Sequence, residues 1–232
     1  MTTGEQAPIV APSAPPAPYR SETGHLYDVT ESSTVYTGRV ISIRRDLVQM
    51  PDGTVSQRDV VVHPGAVGVV AVDDSGRVVM VRQYRHPVRR PLWELPAGLL
   101  DVPGEPAWIA AARELAEEAR LTASRWDVLT DLLVSPGMTD EAYRVFLARG
   151  LSDIPPEDRH VGEFEEAEME VTRLPLDEAI RQVFAGQIDN SMAVVGILAA
   201  AHAARSGFEG LRSARTPWPA RPQHSGEGWT GG

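Results

Sequence analysis

The hydrophobic and polar positions divide the chain into stretches of different period. Between Tyr27 and His63, Val35-Tyr36-Thr37 and Val40-Ile41-Ser42-Ile43 are rich in β-branched and aromatic residues, and Arg58-Asp59-Val60-Val61-Val62 repeats the pattern after the turn residues Met50-Pro51-Asp52-Gly53-Thr54. These positions predict an antiparallel unit of about three strands. Ala66 to Val72 is apolar without interruption, as expected of a strand buried on both faces. After the turn Asp73-Asp74-Ser75-Gly76, Arg77 to Arg85 forms the next strand, apolar at its start and basic at its end. Two more strands are expected at Trp126–Val134 and Glu141–Ala148, with the turn Ser135-Pro136-Gly137-Met138 between them. Residues 150–163 read as a surface loop. Leu176 to Ala185 has helical spacing and stops at Gly186; a second, largely apolar helix runs to about Arg205, with Asn190 or Ser191 as its N-cap.

The stretch from Gly98 to Leu121 stands apart. Pro103, Gly104 and Pro106 punctuate a loop, and from Ala107 to Arg120 no breaker interrupts an alanine-rich helix. At about 100° per residue, Glu114, Glu117 and Glu118 share one arc of this helix, while Trp108, Ala112, Leu115 and Ala119 form its packing side. Clustered carboxylates repel and raise each other's pKa values unless a cation sits among them. Oxygen donors of this kind suit Mg²⁺ or Mn²⁺. A merely solvated acidic face is the alternative.

Composition narrows the chemistry. The 232 residues suffice for one substantial domain. A net charge of −10 argues against a nucleic-acid partner, because no excess of Lys and Arg is available for phosphates. A small phosphate ester is still admissible, since metal ions supply local positive charge. The absence of cysteine excludes disulfides, zinc–thiolate sites and cysteine nucleophiles. No run of apolar residues is long enough to span a bilayer and no signal peptide is evident, so a cytoplasmic protein is expected. No Gly-rich phosphate loop with its lysine is present, which argues against kinase chemistry.

Gly98, Glu105, Arg113, Glu114, Leu115, Glu117, Glu118 and Leu121 resemble the Nudix box, G-x5-E-x7-R-E-U-x-E-E-x-G-U with U a bulky aliphatic residue. Two positions depart from it. Six residues rather than five separate Gly98 from Glu105, and Arg120 replaces a glycine. Gln83-Tyr84-Arg85-His86-Pro87 and Leu92-Trp93-Glu94-Leu95-Pro96-Ala97-Gly98 resemble the ADP-ribose pyrophosphatase subfamily. The resemblance implies an α+β fold, an α/β/α sandwich with a mixed sheet between helices, preceded by the small antiparallel unit. The residue pattern gives domain limits of 1–20 for a disordered Pro/Ala-rich tail, 21–63 for the β unit, 64–206 for the hydrolase domain and 207–232 for an irregular tail, and the resemblance implies a role for the β unit in dimerisation.

The same resemblance assigns site residues. Glu114, Glu117, Glu118 and the Ala97 carbonyl would hold Mg²⁺, with Mn²⁺ as the alternative. Arg85, Glu94, Gly98, Gly137 and Met138 would line the substrate. The acidic run Glu163-Phe164-Glu165-Glu166-Ala167-Glu168 would supply the residue that handles the attacking water and reaches the metals. Its register points to Glu166, with Glu165 and Glu163 next. The implied reaction is Mg²⁺-dependent cleavage of ADP-ribose to AMP and ribose 5-phosphate by a homodimer. A nucleotide sugar is the alternative substrate, and a non-catalytic ADP-ribose-binding sensor is the alternative of another class.

Overall fold

A computed structural model describes residues 19–158, 169–219 and 221. It opens on a two-stranded hairpin, β1 (Tyr19–Arg20) and β2 (Leu26–Tyr27), followed by an antiparallel sheet of β3 (Val29–Thr37), β4 (Ser42–Gln49) and β5 (Val55–Val62). Every residue of β3 after Val29 is exposed. The main sheet contains β6 (Ala66–Val72), β7 (Arg77–Arg85), β8 (Arg90–Glu94), β9 (Ala97–Leu99), β10 (Leu121–Leu133), β11 (Ala142–Asp153), β12 (Glu170–Pro175) and β13 (Arg212–Ser213). Its order is β12-β7-β6-β11-β10-β13, with β8 paired to β7 and β9 to β6. β6 and β11 run parallel and the other pairs antiparallel.

All seven residues of β6 are buried, as its unbroken apolar run requires. Alternate residues feed two cores because successive side chains leave opposite faces of a strand. Val67, Val69 and Ala71, with Phe146 and Ala148 of β11, pack beneath helix α1 (Ala107–Ala119). Ala66, Val70 and Val72, with Val145 and Leu147, pack against α2 (Leu176–Phe184) and α3 (Ser191–Ala204). The result is the expected sandwich, a mixed sheet between helices with a small antiparallel sheet before it. Asn190, not Ser191, caps α3, its side chain accepting from the Ala193 N–H at 3.0 Å.

Several boundaries differ from the pattern-based expectation. β10 begins at Leu121 rather than Trp126, because Arg120 adopts a left-handed conformation (φ 60°, ψ 36°) that ends α1 and turns the chain straight into the strand. β11 continues to Asp153, through residues expected to be loop, since it has β10 to pair with along this length. On α1 the buried position is Ala111 rather than Ala112. The segment after Gly207, expected to be irregular, adds β13 to the sheet edge and buries Trp218 in the core beneath α1.

Arg144 fastens that C-terminal segment. It is 2% exposed; its Nε and Nη2 donate to the two Asp131 oxygens at 2.7 and 3.0 Å, and its other contacts are the carbonyls of Thr216 and Pro217 and the face of Trp218. Arg144→Met would leave those acceptors desolvated and short of donors, although Asp131 keeps Arg212. The expected loss is about 3 kcal/mol, or roughly 10 °C in thermal midpoint. An unchanged melting curve would show that Arg144 does not hold this segment.

Candidate active site

The box helix and strand β9 face each other. The Ala97 N–H donates to Glu118 Oε2 at 2.9 Å, which ties the last turn of α1 to the strand. Glu114 lies against Gly98, where a Cβ would fall inside the volume of its carboxylate. Glycine is required there because the carboxylate occupies the space of a side chain. The insertion between Gly98 and Glu105 lies in the loop before the helix, so it leaves this contact intact.

Arg113 organises the acidic face. Its Nε and Nη2 donate to Glu105 at 3.2 and 3.1 Å, and its Nη1 donates to Glu114 at 2.6 Å and to Glu117 at 3.2 Å. These carboxylates hold the Arg113 pKa above its ordinary value. Burial pushes the Glu114 carboxyl up to about 7 against the pull of Arg113, and the charge on Glu117 adds to the rise.

The sign of that shift is testable in metal-free protein. The folded pKa of Glu114 lies above its ordinary 4.5, so this group's contribution to stability is complete below about 4.5 and is lost as pH rises through about 7. Glu114→Gln removes the titration. In chelator, the midpoint of wild type relative to this variant is expected to fall between about pH 5 and about pH 8. A difference that stays level with pH would contradict the burial argument.

The carboxylates suit a hard divalent cation: oxygen donors lie on one helix face, one of them desolvated, with a backbone-lined cradle at Gly98. Among the described residues no three His, Asp or Glu side chains are yet gathered closely enough to hold an ion. Arg113 bridges three of these carboxylates, Glu105, Glu114 and Glu117.

Arg85 and Glu94 meet across the paired strands β7 and β8. The Arg85 Nη2 donates to Glu94 Oε2 at 2.6 Å and Nε reaches both oxygens, while Glu94 is 3% exposed. Glu94 therefore spends its charge on orienting the guanidinium, which stays partly open to solvent. Glu118 also acts on Arg85 electrostatically, so the two ends of the site are near each other. Gly137 and Met138 lie on the turn between β10 and β11, where the Met138 carbonyl accepts from the Val61 N–H at 2.8 Å. The structure thus brings Arg85 and Glu94 together, and Ala97, Gly98, Glu114 and Glu118 together. Glu163, Glu165 and Glu166 lie outside the described residues.

His63 and Glu141 were not singled out by any sequence motif. Their Nε2 and Oε1 are 3.3 Å apart. A lone histidine before Pro64 and a lone glutamate after a turn carry no periodic signal; only the fold makes them neighbours.

A mixed sheet between helices, with a carboxylate helix docked on a glycine of the sheet, is the setting in which the comparisons fall. A solved ADP compounds hydrolase superposes on this chain with a TM-score of 0.67, over 85% of this chain and 100% of its own, at 18% identity, and so shares the fold. Residues 62–190 match the NUDIX domain, and the chain belongs to the Nudix family. It is 50% identical over 199 residues to the ADP-ribose pyrophosphatase of Mycobacterium tuberculosis, covering 85% of this chain and 94% of that one. It is 34% identical over 176 residues to the methanol dehydrogenase activator of Bacillus methanolicus, covering 75% and 93%.

Proposed function

We propose that this Nudix hydrolase cleaves the diphosphate of ADP-ribose with water, giving AMP and ribose 5-phosphate. The observation that carries the reading is the 50% identity with an ADP-ribose pyrophosphatase over nearly all of that protein. Glu114 and Glu118, with Glu117 and the Ala97 carbonyl, would hold Mg²⁺ or Mn²⁺; the ions polarise phosphoryl oxygens and lower the pKa of bound water. Arg113 keeps the carboxylates on one face through its ion pairs. Arg85, aimed by Glu94, offers a guanidinium to a phosphate oxygen, and Gly98, Gly137 and Met138 would border the substrate. Glu166, or failing it Glu165 or Glu163, would take the proton of the attacking water.

A second reading draws on the relative named as an activator of another enzyme, and casts the chain as a nucleotide-binding sensor. The box carboxylates Glu105, Glu114, Glu117 and Glu118 are all present, which supports hydrolysis. Incubating the purified chain with Mg²⁺ and ADP-ribose, nucleotide sugars, dinucleoside polyphosphates or NADH, and separating the products, tests both readings. Cleavage of none favours the sensor, and faster cleavage of a nucleotide sugar replaces the substrate.

A cytoplasmic homodimer is part of the same proposal. Support for the dimer comes from the N-terminal sheet, which leaves Val35, Tyr36 and Val55 about half exposed. Light scattering on the full chain checks the oligomeric state, and a monomer at micromolar concentration would remove that part.

A further inference from the structure

The corner between β5 and β6 grips the turn that follows β10. The Val61 N–H donates to the Met138 carbonyl at 2.8 Å, and the Val61 carbonyl accepts from the Thr139 hydroxyl at 2.8 Å and from the Asp140 N–H at 3.3 Å. The His63 N–H donates to Asp140 Oδ1 at 3.0 Å. The His63 ring completes the contact. Its Nδ1 accepts from the Gly65 N–H at 3.1 Å, which leaves the ring proton on Nε2, 3.3 Å from Glu141 Oε1. Both side chains are largely buried.

Glu141 has a second partner. Burial pushes the Tyr143 hydroxyl above its ordinary pKa, and the negative charge of Glu141 raises it further. Tyr143 therefore stays protonated and acts as a donor. The charges of Arg85 and Glu94 also act on Tyr143, and Arg85 and Glu94 are the residues proposed above to face the substrate.

We propose that His63 is a positioning residue: through its Nε2–H it orients Glu141, and through Glu141 it positions the Tyr143 hydroxyl for substrate binding. The inference rests on the hydrolase reading above. The relay acts on substrate binding and leaves the carboxylate helix untouched, so it changes KM rather than kcat. Replacement by asparagine or by glutamine separates the two ring nitrogens. The longer glutamine side chain can put an amide donor where Nε2 stood, whereas the amide of asparagine reaches only the position of Nδ1.

Steady-state kinetics on the full chain with Mg²⁺ and ADP-ribose decide the matter. His63→Asn is expected to raise KM about tenfold, the cost of one buried hydrogen bond, with kcat within about twofold of wild type. His63→Gln is expected to recover most of that loss, and Tyr143→Phe to reproduce it. An unchanged KM in His63→Asn, equal losses in the asparagine and glutamine variants, or a loss confined to kcat overturns the positioning role. If His63→Asn does not fold, Tyr143→Phe decides alone, and a wild-type KM there overturns the relay. Wild type that fails to cleave ADP-ribose refutes the hydrolase reading itself, and the relay with it.

Discussion

Glu118→Gln is expected to lower ADP-ribose turnover by about 10³-fold, because a metal ligand, the role proposed for Glu118, supplies several kcal/mol of transition-state charge stabilisation. The fold should survive. Glutamine is isosteric, and its amide oxygen can still accept from the Ala97 N–H that Glu118 now holds. The thermal midpoint should therefore move by no more than about 2 °C. A calorimetric Mg²⁺ titration provides the second readout and should show weakened binding. Turnover near the wild-type rate would remove Glu118 from the ligand set.

Gly98→Ala tests the other side of the same contact. The new Cβ would lie 2.0 Å from the Cδ and Oε1 of Glu114 and 2.5 Å from its Cγ, so the carboxylate must move. A displacement of about 1 Å in a catalytic group costs on the order of 10² in rate. A loss of that size in kcat/KM is expected, together with weaker Mg²⁺ binding and an overpacking cost of about 1–3 kcal/mol. Full activity in this variant would mean that the approach of Glu114 to Gly98 is not the working arrangement.

The two core faces and the box helix were legible from the chain alone, for clear physical reasons. Ala66 to Val72 has nothing polar to point at solvent, so it had to lie inside the sheet. Glu114, Glu117 and Glu118 sit on one arc because helical periodicity is strict. The misses came where long-range pairing decided the outcome. β8 and β9 are short, interrupted by prolines in sequence, and exist because β7 and β6 offer edges to them. β13 is two residues long and is held by partners far upstream, as is Trp218 beneath Arg144. At the site, fixed spacing revealed the carboxylates. The pairing of His63 with Glu141, distant in sequence, required the parallel alignment of β6 with β11. The left-handed turn at Arg120 had no glycine to announce it.

Val61 belongs to two structures at once: it is a rung of the exposed N-terminal sheet and a bonding partner of Met138, Thr139 and Asp140. That shared residue connects the sheet physically to the turn between β10 and β11, which is proposed to border the substrate. If association through the sheet changes the affinity for substrate by some factor, substrate must change the strength of association by that same factor. Measuring the dimerisation constant with and without a bound nucleotide would then report the coupling free energy directly, with no need to follow turnover.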